Sequence, residues 1–211
     1  MESDQFAGQL VEYRKLERST DLATVESGSA VVSGTITDSN PKTAPFSAAP
    51  AVAFTARITA DSTHFRNETE LIHHETDSSP FTITDSTGRI RVDPSAVVIR
   101  GSPSLWAPVD PENERIPSRI STYLEHRNVS IDTKPHVFTE IRVEPGEPVT
   151  AFGEVRTTGG ERILEGNPLI LECGKAETVR RRYARLVFRG SRMAVLLALC
   201  GYLGLAVTLG G

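Results

Sequence analysis

Pro80–Pro94 reads "PFTITDSTGRIRVDP", and this stretch decides the fold class. Phe81 and Ile83 alternate with threonines, and Ile90 and Val92 alternate with arginines. Between them stand Asp85, Ser86, Thr87 and Gly88, the residue types of a tight turn. The pattern predicts a β-hairpin with one apolar face. "AVVIR" after it predicts a continuation as strand.

The flanks carry the same period. "AVVSGTITD" reads as a strand in which Gly34 marks a bulge or a close backbone approach. "AVAFTARITAD" places Val52, Phe54, Ala56 and Ile58 on one face of a half-buried strand. "ETELIHHETD" is a weaker strand. Four prolines in residues 101–119 predict a loop. "SRISTYLEHRN" predicts a helix from Ser118 with Ile120, Tyr123 and Leu124 inward. "HVFTEIRVEPGEPVTAFGEVRTTGGERIL" predicts two or three strands with turns at Pro145-Gly146 and Gly159-Gly160, and "PLILEC" a last strand. "AVVSGTI" and "VTAFGEV" share a pattern that allows two similar β units, although chance repetition of a common strand pattern accounts for so short a match. The expected fold is α+β, mainly antiparallel strands with short helices.

The end of the chain is of another kind. Residues 193–211 contain no charged residue, and residues 179–192 contain six arginines and no acid. Nineteen residues at ~1.5 Å each span about 28 Å, close to a bilayer core. The expected organisation is an N-terminal helical segment at 1–28, with Phe6, Leu10 and Tyr13 on one face, and a β-rich domain at 29–178. A basic juxtamembrane segment at 179–192 and one transmembrane helix at 193–211 follow. Residues 1–178 hold 17 basic and 27 acidic residues, so all the net positive charge is in the tail. Arg180, Arg181, Arg182, Arg185, Arg189 and Arg192 are expected to meet anionic headgroups. Basic residues beside a membrane helix favour the cytoplasmic side, and residues 1–28 hold no apolar signal core. The protein is therefore expected at the cell membrane, single-pass and tail-anchored, with its domain in the cytoplasm. The expected partners are that bilayer and another protein. Nucleic acid is not expected, because the rest of the domain repels phosphate.

Arginine outnumbers lysine 19 to 4, and mean hydropathy is −0.21. Scarce lysine with abundant acid suits a salt-rich cytoplasm, and GC-rich codon usage gives the same bias. Two cysteines, Cys173 and Cys200, exclude a disulfide framework.

Several of these pieces occur together, and in order, in one known family. "GSAVVSGTI", "SSPFTITDSTGRIRVDP", "FTEIRVEPGEPVTAFGEV" and "RILEGNPLIL" resemble the GIDE-type, or "beside a membrane", domain of the mitochondrial RING-type E3 ubiquitin ligases and their prokaryotic relatives. The resemblance covers about residues 16–211. It implies a β-rich domain next to a membrane and a link to ubiquitin transfer. In the mitochondrial proteins this domain lies between two helices, away from the cytosol. The RING of those ligases holds two zinc ions with about eight Cys and His ligands. Two cysteines and no C-x-x-C pair do not supply that set, so ligase chemistry is not carried over.

The remaining candidates for chemistry are weak. His73, His74, Glu75 and Asp77 lie together, with His64 upstream. On a strand His73, Glu75 and Asp77 share a face and suggest a metal ligand set or an unrecognised hydrolase. Polar residues on a solvated strand face account for them more simply. Asp85 reads as a turn residue and Asp93 as the residue before Pro94. No G-x-S-x-G, P-loop or G-x-G-x-x-G occurs. Gly210-Gly211 matches the dipeptide of conjugated modifiers, but follows an apolar run. Asn67 and Asn128 begin N-x-S/T tripeptides. No residue is assigned a catalytic, cofactor-binding or metal role. The function expected is a membrane-anchored module for protein interaction or membrane-surface sensing, or a subunit of a modification system whose activity lies on another chain.

Overall fold

The structure is a computed structural model that describes residues 21–61, 69–111 and 114–185. The chain divides into two compact units, Thr20–Lys175 and a second made of Met1–Ser19 with Ala176–Gly211. Of the second, only the helix at 176–185 is described. The helix expected before residue 20 and the apolar run at 193–211 lie outside the described residues. Among the described residues no helix is long and apolar enough to cross a membrane.

The hairpin expected over Pro80–Pro94 is β6 (Phe81–Thr84) and β7 (Arg89–Val92), paired with Ile83 opposite Ile90. Asp85 builds its turn, accepting from the backbone N–H of Thr87 at 2.7 Å and of Gly88 at 2.8 Å. The hairpin belongs to a ring of five strands. Its other members are β1 (Gly28–Thr37), β11 (Pro148–Thr158) and β12 (Glu161–Cys173), and the pairing closes as β11-β1-β6-β7-β12-β11. Closure removes the free edges that alternating strands otherwise leave. Val32, Ile36, Phe81, Ile83, Ile90, Val92, Val149 and Leu164 fill the ring. β8 (Val97–Arg100) runs on from β7 along the same neighbour, and both lie parallel to β12.

Two glycines let the ring close. A Cβ on Gly34 would stand 2.4 Å from the Thr84 carbonyl oxygen, and one on Gly153 would stand 2.5 Å from that of Glu165. The β1–β11 register runs regularly through Gly34, so of the two expected meanings it is the close approach and not the bulge. "AVVSGTI" and "VTAFGEV" are antiparallel neighbours, with Ala30 opposite Gly153 and Gly34 opposite Val149. Each motif's glycine thus faces the first residue of the other, and the echo is a local two-fold rather than a distant repetition.

A second sheet has the order β5-β4-β10-β9. Its strands are β4 (Ala53–Asp61), β5 (Thr69–Ser78), β9 (Leu105–Val109) and β10 (His136–Val143). Phe54, Ala56, Ile58 and Phe138 on one face pack with Ile120 and Leu124 of helix α1 (Ser118–His126). Phe46 joins them, edge-on to Phe138 at 5.6 Å between centroids, from the turn between β2 (Lys42–Thr43) and β3 (Pro50–Ala51).

Two expectations change. The loop expected over 101–119 contains β9, because β9 is an outer strand and Pro108 needs no N–H there. "ERIL" and "PLILEC" form the single strand β12. Pairing with β11 shifts register between Phe152/Ile170 and Glu154/Glu165, so Gly166–Leu169 bulge without ending the strand.

Candidate functional site

The polar cluster singled out on β5 is drawn together with α1. Ile120 and Leu124 bury one side of that helix, which turns Tyr123 and Arg127 toward β5. The Tyr123 hydroxyl donates to Glu75 Oε2 and stands 2.7 Å from His73 Nε2. Arg127 grips the same carboxylate with both ends of its fork, Nε to Oε2 at 2.9 Å and Nη2 to Oε1 at 2.5 Å. Burial pushes the Glu75 carboxyl up, but the hydrogen bonds from Tyr123 and Arg127 and the Arg127 charge outweigh it and hold it below the ordinary 4.5. Burial and the Glu75 carboxylate push the Tyr123 hydroxyl far up, so it stays a donor.

His73 and Glu75 therefore share a face, as read from the strand period. Asp77 keeps to that face, opposite Phe54, but is bonded elsewhere. Asp77 pairs with Lys42 Nζ at 2.5 Å, and His74 is exposed. His64 lies outside the described residues. Among the described residues no three His, Cys, Asp or Glu side chains stand close enough to hold a metal ion. His73, Tyr123, Glu75 and Arg127 are thus bonded in one chain, which is the arrangement of a tie between strand and helix.

That tie has a pH signature. The folded pKa of Glu75 is lowered, so its contribution is complete above about pH 4.5 and is lost as pH falls through the folded value. Thermal unfolding of the native chain and of Glu75→Gln is expected to differ by a constant amount from about pH 7 to 5 and to converge below that. A gap unchanged down to about pH 3 would show that Glu75 is not the titrating group.

Glu140, in the "FTEIRV" segment, has no exposed surface at all. It accepts from the backbone N–H of Phe46 at 2.8 Å and of Ser47 at 3.2 Å, and from the Ser47 hydroxyl. Arg142 Nη1 lies 3.4 Å away. One buried carboxylate thus ends the β2–β3 turn and seats Phe46 in the second core. Asn128, read as a glycan acceptor, has a φ of 53° just after α1, and the Val129 N–H returns to the Leu124 carbonyl at 2.9 Å. This is the left-handed residue of a helix C-terminus. Asn67 lies outside the described residues.

Of the six arginines before the apolar run, Arg180, Arg181 and Arg185 are exposed on the helix at 176–185 and Arg182 is half-buried. Arg181 Nη2 meets Glu177 Oε1 one turn earlier at 2.5 Å. Arg189 and Arg192 lie outside the described residues.

A family model described as GIDE, E3 ubiquitin ligase, matches residues 54–196. The chain belongs to the GIDE family. The GIDE match begins inside β4 and takes in the β6–β7 hairpin, Glu140 and Gly153, the positions on which the ring and the buried turn depend. β1 precedes it, although the GIDE ring closes only with β1 between β11 and β6. No curated protein and no solved structure matches. The GIDE family makes this chain a ubiquitin-ligase-related module.

Proposed function

We propose that the chain is a membrane-anchored GIDE module that engages protein partners or the membrane surface and performs no group transfer itself. The observation that carries this is the joining of a GIDE domain to a run of six arginines and nineteen uncharged residues. The arginines meet anionic headgroups and the uncharged run spans the bilayer. The same charge order favours the cytoplasmic side for the domain. Labelling of Ser104→Cys by an impermeant maleimide on intact cells, with Cys173 and Cys200 replaced by serine, would reverse that sidedness.

The family's description as an E3 ubiquitin ligase favours one kind of assembly, in which conjugation chemistry sits on another chain. Two cysteines in 211 residues do not supply a RING's zinc ligands. The hydrolase alternative loses its support, because His73 and Glu75 are both engaged by the Tyr123 hydroxyl. Purified chain given ubiquitin with activating and conjugating enzymes is expected to form no ubiquitin chains. Chain formation by this polypeptide alone would overturn the proposal.

A further inference from the structure

The strand ring carries a cationic groove, apart from the His73–Glu75 cluster. Its floor is the outward side of β7, where the alternation that buries Ile90 and Val92 turns Arg89 and Arg91 to solvent. Thr82 of β6 stands beside Arg91. The opposite wall is the β11–β12 turn, Gly159-Gly160, followed by Arg162. The groove encloses about 590 Å³, which is the size of a pocket for a short chain segment rather than for a single small ion.

Three observations give the groove its sign. Arg162 is set in place, because its Nη1 donates to the backbone carbonyls of Ala23 at 3.2 Å and Val25 at 3.3 Å. That anchors one end of the guanidinium at the groove wall. Among the described residues Arg89 and Arg91 have no ion pair and no side-chain hydrogen bond, and the three arginines outnumber the two acids, Asp38 and Glu161, that also line the groove. The turn glycines, with φ of 61° and 83°, have nothing within 4 Å of a would-be Cβ, so the backbone there is open to a ligand. All this occurs in a domain where acids outnumber bases 27 to 17 over residues 1–178.

A groove of that size suits a segment of a soluble partner's chain rather than a single lipid headgroup.

We propose that this groove binds an acidic segment of a protein partner, whose carboxylates or phosphates are clasped by Arg89, Arg91 and Arg162. The inference builds on the interaction-module reading by naming the partner's chemistry. Full-length protein in neutral detergent is titrated into a fluorescein-labelled Asp/Glu decapeptide, a phosphoserine decapeptide and a neutral decapeptide, with anisotropy as readout. One or both acidic peptides bind, the neutral one does not, and the tighter of the two identifies the source of the charge. Arg89→Gln/Arg91→Gln, which breaks no ion pair or side-chain hydrogen bond among the described residues, weakens binding about tenfold or more. Arg156→Gln, an exposed arginine of β11 bonded to Glu165 at 2.6 Å, leaves it unchanged. Equal binding by native and double-variant protein overturns the proposal. So does failure of both acidic peptides, or arginine-dependent binding to phosphatidylserine vesicles without peptide binding. Because the assay is made in detergent, a negative result leaves the anchor reading intact, and failure of the anchor leaves the groove intact.

Discussion

Replacing Glu140 with alanine is expected to destabilise the domain by about 3–5 kcal/mol, which at about 2–4 °C per kcal/mol lowers Tm by roughly 10 °C. The side chain has no exposed surface, and its carboxylate is the acceptor for two backbone N–H groups and the Ser47 hydroxyl. Its removal leaves those donors buried without an acceptor, at about 1–3 kcal/mol for each one that water does not reach. It also takes away the negative partner of Arg142, which keeps only Glu144 at 2.6 Å. Phe46 sits in the second core by virtue of the turn that Glu140 holds, edge-on to Tyr123 at 5.5 Å. The loss therefore spreads into the packing of α1. Glu140→Gln keeps an acceptor and should fall between the two. Urea denaturation of the native and variant domains measures the difference, and a loss under about 1 kcal/mol would mean that the turn holds itself without the carboxylate.

The strands whose alternation is local were legible. Phe81-Thr82-Ile83-Thr84 and Arg89-Ile90-Arg91-Val92 carry both their period and their turn chemistry within twelve residues. The helix from Ser118 was legible for the same reason, since Ile120 and Leu124 are one turn apart. Partnerships that join distant parts of the chain were not. Nothing in "KTAPFSAAP" says that its turn is finished by a glutamate 94 residues downstream of Phe46. Nothing in "SPSLWAPVD" shows that Pro108 falls on an outer strand, where a proline is harmless. Ring closure depends on β12 touching both β7 and β11, and no spacing in the sequence encodes that.

The site divides along the same line. His73 and Glu75 were placed on one face by the strand period, and they share it. Tyr123 and Arg127, which decide what that face does, come from a helix about fifty residues later. The hydroxyl between the histidine and the carboxylate turns an apparent catalytic pair into a tie. The groove of Arg89, Arg91 and Arg162 gave no sequence signal either, because outward arginines on a strand look like ordinary solvated residues until β12 brings a third beside them.

Deletion of residues 193–211 has the largest expected effect on where the protein resides. Nineteen uncharged residues in a membrane are held in a way that neither salt nor alkali reverses. Arginines near an anionic surface contribute only about 1 kcal/mol each and are screened by salt. High salt with alkaline carbonate therefore separates insertion from surface attraction. Membranes from cells expressing the full chain and the fragment 1–190 are extracted under both conditions and sedimented. The account predicts that the full chain stays in the pellet and that 1–190 moves to the supernatant as a folded, soluble protein. Retention of 1–190 in the pellet, or release of the full chain by carbonate, would contradict it.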